Sequence, residues 1–317
     1  MTTMTMTGDA AMASPQDSPL DAPLRPPAPG AAFPHDTQAP QAVPQPGLAA
    51  SSSTNADAEW LRKAFKAILP PILGIALLIG IWYVGSAGAD ARIPGPGKTW
   101  EAAVALFSDP FYREGPNDQG IGWNVLASLE RVAIGFGIAA AVGIPLGFLL
   151  GRFATLSAMV NPIISLLRPV SPLAWLPIGL LVFQRADPAA TWTIFICSIW
   201  PMILNTAQGV TRVPQDYLNV ARVLNLSEWK IFTKILFPSV LPYMLTGIRL
   251  SIGTAWLVIV AAEMLTGGVG IGFWVWDEWN NLKVEHIIIA IFVIGIVGLI
   301  LEQCLVLLAK RFTYETP

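Results

Sequence analysis

The stretch TRVPQDYLNVARVLNLSEWKIFTKILFP, Thr211 to Pro238, lies between two long apolar runs and carries its own pattern. Pro214 and Asp216 mark a turn and a helix start. Val220, Ala221, Leu224 and Trp229 follow at near-helical spacing. Asn225 tolerates a left-handed backbone, which predicts the end of that short helix. Ser227 caps a second piece, Ser227 to Phe237, in which Ile231, Ile235 and Phe237 sit beside Lys230 and Lys234. Pro238 is expected to start the next apolar run. Connections between bundled helices are usually a few residues long. This one is long and patterned, so it reads as a helix–turn–helix docking element.

The flanking runs set the class. A helix that crosses a bilayer needs roughly 20 apolar residues. Six segments qualify: Ala67–Ala87, Val132–Gly151, Leu156–Phe183, Ala189–Val210, Val240–Leu265 and Ile287–Ala309. One buried hairpin in a soluble protein explains one such run, not six. The whole chain agrees. Its 317 residues are 54% apolar and 13% charged, with mean hydropathy +0.57. Soluble domains carry about 25% charge, so an ordinary cytosolic enzyme and a charge-driven disordered protein are both excluded. A net charge of −2 shows no basic excess for nucleic acid. The fold class is therefore an all-α membrane protein with six transmembrane helices.

Two domains are expected. Residues 1–58 hold ten of the 27 prolines, few large apolar residues and no periodicity. Such a segment cannot offset its chain entropy by burial and reads as a disordered Pro/Ala-rich tail. It has neither the basic start nor the apolar stretch of a secretory signal. Residues 59–317 form the membrane domain. With the amino terminus inside, Arg62, Lys63, Lys66, Arg152, Arg212, Arg222, Lys230, Lys234, Lys310 and Arg311 fall on the cytoplasmic side. That is ten basic residues inside against six outside, so both termini are expected in the cytoplasm of an inner-membrane, multi-pass protein.

The loop between the fourth and fifth runs resembles the signature of permease subunits of binding-protein-dependent ABC importers. That pattern is E-A-A, three residues, Gly, nine residues, then I-x-L-P. Here Asn219-Val220-Ala221, Asn225 and Ile235-Leu236-Phe237-Pro238 stand at the same spacing. Asn219, Val220, Asn225 and Phe237 replace Glu, Ala, Gly and Leu, and Asn is the best substitute for Gly at a left-handed turn. SLERVAIGF at 128–136 resembles the entry to the family's first core helix, and LLRPVSPLAWLPIGLL at 166–181 and GIRLSIGTAWLVIVAAEML at 247–265 resemble the third and fifth spans of the nitrate, sulfonate and taurine subfamily. MLTGGVGIGFWVWDEWNN at 264–281 looks most like nitrate-type permeases. The resemblance covers roughly residues 65–312. It implies a type I ABC importer permease fold whose loop is a coupling helix. Asn219, Val220, Ala221, Arg222, Leu224, Asn225, Ile235, Phe237 and Pro238 would then meet a separate ATP-binding subunit. It also implies import of a small anion, most like nitrate, with nitrite, cyanate, bicarbonate or an alkanesulfonate as alternatives. The implied partners are the ATP-binding subunits, a solute-binding protein, a second permease copy as homodimer, and lipid.

Residue chemistry supplies pathway candidates. Transporters place irregular backbone where it lines a cavity or is packed in protein. Arg168, followed by Pro169, Pro172 and Pro177, should break or kink the third run. An intramembrane charge is a functional hypothesis, so Arg168 and Arg249 are candidates to attract an anion. Each can instead pair with Glu or a carbonyl, or snorkel. Pro169, Pro172, Trp175, Thr254 and Trp256 share those two runs and complete the candidate set with Glu263, which can also anchor the Gly-rich loop after it. Trp274, Trp276, Asp277, Glu278 and Trp279 form an interfacial belt, an outer gate or a surface for a solute-binding protein.

Enzyme motifs are missing. PGPGKTW at 94–100 contains Gly-Lys-Thr without the four-residue spacer of a phosphate loop. His35 and His286 have no Cys or His neighbours, and Cys197 has no basic partner. No cofactor, metal site or catalytic residue is expected, and ATP hydrolysis belongs to another chain. A stand-alone secondary carrier would need mid-membrane carboxylates or His relays and usually an inverted repeat. A membrane anchor or sensor would need a soluble effector domain. Neither pattern is present.

Overall fold

The computed structural model describes residues 53–88 and 93–312. Residues 1–52 of the expected tail lie outside the described residues. Residues 53–58, also expected in the tail, are instead the first residues of helix α1, Ser53–Gly85. The chain divides into two units, Met1–Phe65 and Lys66–Pro317. Of the first, residues 53–65 are described and helical. The second holds the bundle.

Apolar runs become helices because, away from water, each backbone N–H and C=O must be satisfied within its own segment. After α1 come α2 (Pro96–Ser108), α3 (Ile121–Arg152), α4 (Ala154–Leu167), α5 (Pro172–Phe183) and α6 (Ala186–Thr211). The chain continues through α7 (Gln215–Val223), α8 (Glu228–Ile231), α9 (Phe237–Thr266), α10 (Ile271–Asn280) and α11 (Val284–Phe312). Among the described residues β pairing is limited to a single bridge, Arg113 to Gln119. Five helical stretches are long and apolar enough to span, or six if the bent α4–α5 pair counts as one. The third run is thus a bent pair of helices and not one continuous helix. Its two halves meet at 99°. Pro169 and Pro172 each lack an N–H, and Ser171, before Pro172, is held at ψ 134°, outside helical geometry.

Two runs are longer than hydropathy suggests. The second was expected over Val132–Gly151, yet α3 starts at Ile121. Its first turns carry Asn124, Ser128 and Arg131, polar residues that reach Gly270, Glu263 and Asp187, far along the chain. The fifth does not start at Pro238. Helix continues from Glu228 through a π turn, Phe232–Leu236, into α9. The wider turn, closed by Phe237 N donating to Phe232 O, precedes the proline. It gives room where the ring would otherwise strike the carbonyl four residues back.

Helices α3, α6 and α9 form the centre. Gly135, Ala139, Gly143, Gly147 and Gly151 recur every four residues along α3 and line one face. A Cβ on Gly147 would stand 2.6 Å from Thr206 Cβ and 2.8 Å from Ile203 O on α6. A Cβ on Gly247 of α9 would stand 2.9 Å from Pro201 O. Small residues of this kind let membrane helices approach closely. The Ser251 hydroxyl then bridges α9 to the Ser198 carbonyl at 2.7 Å. Trp256 Nε1 bridges α9 to the Ile294 carbonyl of α11 at 2.9 Å.

Replacing Gly147 with Leu should therefore force α3 off α6 and cost about 3 kcal/mol, the upper range for overpacking. Gly137, which has open space beside it, should accept the same change. Unfolding midpoints of the two variants in detergent check this: G147L falls well below wild type and G137L stays near it.

Candidate functional site

Three regions draw together the residues singled out from the sequence. The first is the loop after α6. Helix α7 ends as its composition requires. Asn225 adopts φ 47°, and Leu226 N donates to the Ala221 carbonyl at 3.0 Å. Ser227 Oγ then accepts from Lys230 N at 3.4 Å and caps α8. Ala221 is 1% exposed and packs with Phe148, Val210, Ile231, Leu236, Val240 and Met244. This corrects its placement on a partner-facing surface: Ala221 faces the chain's own core. Its small size lets α7 lie flat on the bundle. Asn219, Val220, Arg222, Leu224 and Asn225 remain exposed, as do Phe237 and Pro238, while Ile235 is partly covered.

The free face of α7 adds Tyr217 and Val223 to the motif residues Val220 and Leu224. Tyr217, Val220 and Leu224 recur at helical spacing, and Val223 stands beside them at 82% exposure. Trp229 adds a further exposed ring. Their periodicity was visible, but only packing shows which stripe is covered. Near α8, Arg152 and Glu228 lie 3.6 Å apart over an apolar cavity of about 510 Å³.

The second region is the break between α4 and α5. Arg168 caps the end of α4 and lines a cavity of about 670 Å³ with Asn205 and Gln208 of α6 and Leu250 and Thr254 of α9. Asn205 and Gln208 were not anticipated, because they sit in a run read only for its hydropathy. Pro169 is exposed, Pro172 half-buried as the first residue of α5, and Trp175 packs on the apolar core. Arg249 and Trp256 line a neighbouring cavity on the α11 side of α9, with Leu250 and Thr254 shared between the two. Arg249 is ion-paired with Glu302, its Nε donating to Oε1 at 3.0 Å. Trp256 is buried by its bond to α11.

The third region is the far end of α9. Glu263 is 1% exposed and therefore not on an open pathway wall. Ser128 Oγ lies 2.7 Å from its Oε2, Arg131 donates to Oε1 at 2.6 Å, and Gly272 N donates to Oε2 at 3.0 Å. Arg131 also donates to the Val269 carbonyl at 2.7 Å and to Asp187 at 2.7 Å. Gly270 N donates to Asn124 Oδ1 and Ile271 N to Ser128 Oγ, each at 2.9 Å. A side chain on Gly270 would collide with the Glu263 carboxylate. The network holds the turn before α10 against α3. Within α10, Trp274 and Glu278 are buried, a second correction to the expected outer surface. Trp274 stacks on His286, and Glu278 lies 3.0 Å from His286 Nδ1 and 3.7 Å from Lys283. Trp276, Asp277 and Trp279 are exposed.

A family model described as "Binding-protein-dependent transport system inner membrane component" matches residues 143–314. The nitrate import permease protein NrtB of Synechocystis sp. is 47% identical over 74% of this chain and 86% of its own. The bicarbonate transport system permease protein CmpB of the same organism is 46% identical over 80% of this chain and 91% of its own. A chain of the MetNI methionine ABC transporter in an inward-facing conformation superposes with a TM-score of 0.52 at 15% identity. The superposition covers 60% of this chain and 95% of that one and shows a shared fold.

Removing the Glu263 carboxylate should unfasten α3, α9 and α10 together. Glu263→Leu leaves the buried Gly272 N–H unpaired and takes from Arg131 one of its two carboxylates, Asp187 remaining, a loss of about 3 kcal/mol. Glu263→Gln keeps an acceptor and should lose less. Thermal unfolding of the purified variants orders them wild type, E263Q, E263L.

Proposed function

The chain belongs to the family of inner membrane components of binding-protein-dependent transport systems, and on that premise we propose that it is the membrane subunit of an ATP-driven importer of a small monovalent oxyanion. Nitrate is the first reading. Bicarbonate is the second, because relatives named for the two anions are nearly equally similar to this chain. ATP is hydrolysed on a separate subunit, and a solute-binding protein delivers the anion on the opposite side. Two copies of this chain form the pathway, since six spans, counting the bent pair as one, supply half of it. Both termini lie in the cytoplasm of the inner membrane, with a tail ahead of helix α1, which opens the permease domain.

The observation that carries this reading is the unpartnered apolar face of α7. Exposed apolar clusters on a protein surface mark interaction sites. Tyr217, Val220, Val223 and Leu224 stand free on a helix whose other face is anchored by Ala221. That combination suits a coupling helix seated in a groove of the ATP-binding subunit. Force applied there has a stiff route inward. Helix continues from Glu228 to Thr266, so a tilt at α7 and α8 carries to Leu250 and Thr254 on the cavity wall. Closure of the ATP-binding subunits would then rock α9 and switch the cavity between the two sides, each ligand state shifting a two-state equilibrium.

Val220→Asp places a charge in the proposed groove without touching the bundle core. Co-purification of the ATP-binding subunit should fall about tenfold or more, as for loss of a central interface contact, and anion uptake should stop. Wild-type yield of the complex with normal uptake rejects the docking role. Uptake of labelled nitrate, nitrite, cyanate and bicarbonate by vesicles holding the full assembly separates the first reading from the second.

A further inference from the structure

Two cavities flank α9, and their charge balance differs. The one on the α11 side holds Arg249 and Glu302, which neutralise each other. The one facing the α4–α5 break holds Arg168 and no carboxylate. Its remaining polar groups are the neutral side chains of Asn205, Gln208 and Thr254. Among the described residues the Arg168 guanidinium makes no hydrogen bond, ion pair or ring contact, whereas Arg131, Arg152 and Arg249 each reach a carboxylate. A cation without a counter-charge beside neutral hydrogen-bonding groups favours a negative guest.

The remaining hydrogen-bonding capacity narrows the guest. Asn205 Nδ2 spends one N–H on the Pro201 carbonyl at 2.8 Å and keeps the other. Thr254 donates to the Leu250 carbonyl at 3.0 Å and keeps its lone pairs. Gln208 has both amide N–H groups and its carbonyl uncommitted among the described residues. The wall therefore offers one full positive charge, several neutral donors and a few acceptors. One charge matches a monovalent ion. A divalent anion would enter half-compensated, at a high desolvation cost. The volume of about 670 Å³ admits the ion with part of its water shell, at about 30 Å³ per water. Attraction there is transient, as conduction through a binding site requires.

We propose that Arg168, Asn205, Gln208 and Thr254 form a transient binding site for a planar monovalent oxyanion on its way through the membrane, with Arg168 as its charge and Gln208 as its main neutral donor. This rests on the importer reading above and adds the place where the anion is held. It also fits relatives named for nitrate and for bicarbonate alike, since both ions have that shape and charge.

The test is uptake of labelled nitrate, and separately of bicarbonate, by proteoliposomes containing this chain with its ATP-binding subunit and solute-binding protein. Arg168→Gln should lower uptake about tenfold or more, the size of a lost charge-assisted hydrogen bond, and raise the anion concentration needed for half-maximal uptake. Arg168→Lys should restore most of the rate, because the charge is kept. Gln208→Leu should shift the half-maximal concentration in the same direction by a smaller factor. It serves as the independent variant if R168Q fails to assemble. Arg249→Gln, in the neutralised cavity, should leave that concentration at the wild-type value. Wild-type behaviour of R168Q, equal losses in R168K and R168Q, or, where R168Q does not assemble, an unchanged half-maximal concentration in Q208L overturns the site. Absence of uptake of either anion by the wild-type assembly overturns instead the importer reading beneath it.

Discussion

A four-residue spacing of small side chains along α3 determines how near α6 can come, and most of the bundle follows from that approach. Lipid offers apolar helices no hydrophobic reason to associate, so their contact rests on close packing and on hydrogen bonds between helices. Gly143, Gly147 and Gly151 bring backbone against α6, and Gly247 does the same between α6 and α9. Once the three helices touch, short side chains can bridge them, as Ser251 does to Ser198. The same closeness makes Asn205 and Thr254 neighbours across one cavity.

A second constraint acts at the ends. A broken helix or a tight turn at membrane depth needs partners for its freed backbone groups. The turn after α9 finds them in side chains: Asn124, Ser128 and Glu263 receive the N–H groups of Gly270, Ile271 and Gly272. Gly267 and Gly268 supply the positive φ that the turn requires, at 78° and 90°. The bend between α4 and α5 is treated differently. It borders an open cavity, where water can serve the same groups. One irregular segment is thus locked and the other left accessible, and the proposed anion site lies at the accessible one.

The loop helix shows how small residues and large ones divide the work. Ala221 is small enough to sit against Phe148 and Val240, which fixes the helix to the bundle. Val223 and Leu224, two and three residues later, point away. A helix attached on one side and bare on the other is suited to pass force from a partner to the body beneath. Continuity through the π turn into α9 extends that body to the cavity wall.

Local rules were enough for much of this. Apolar runs of spanning length, the proline break after Arg168, the Asn225 turn and the Ser227 cap all depend on neighbours within a few residues, so the sequence alone determined them. Pairings across long separations were not legible. Arg131 and Glu263 stand 132 residues apart and Arg249 and Glu302 stand 53 apart. No periodicity reveals such partners. Hydropathy windows cut α3 short because they scored Asn124, Ser128 and Arg131 as polar, unaware that each would be satisfied on burial. Only the tertiary structure decided that Ala221 faces inward, that Arg249 is neutralised and that Arg168 is not. The reason is that a charge or an exposed face is defined by what packs against it, and packing joins residues that the chain keeps far apart.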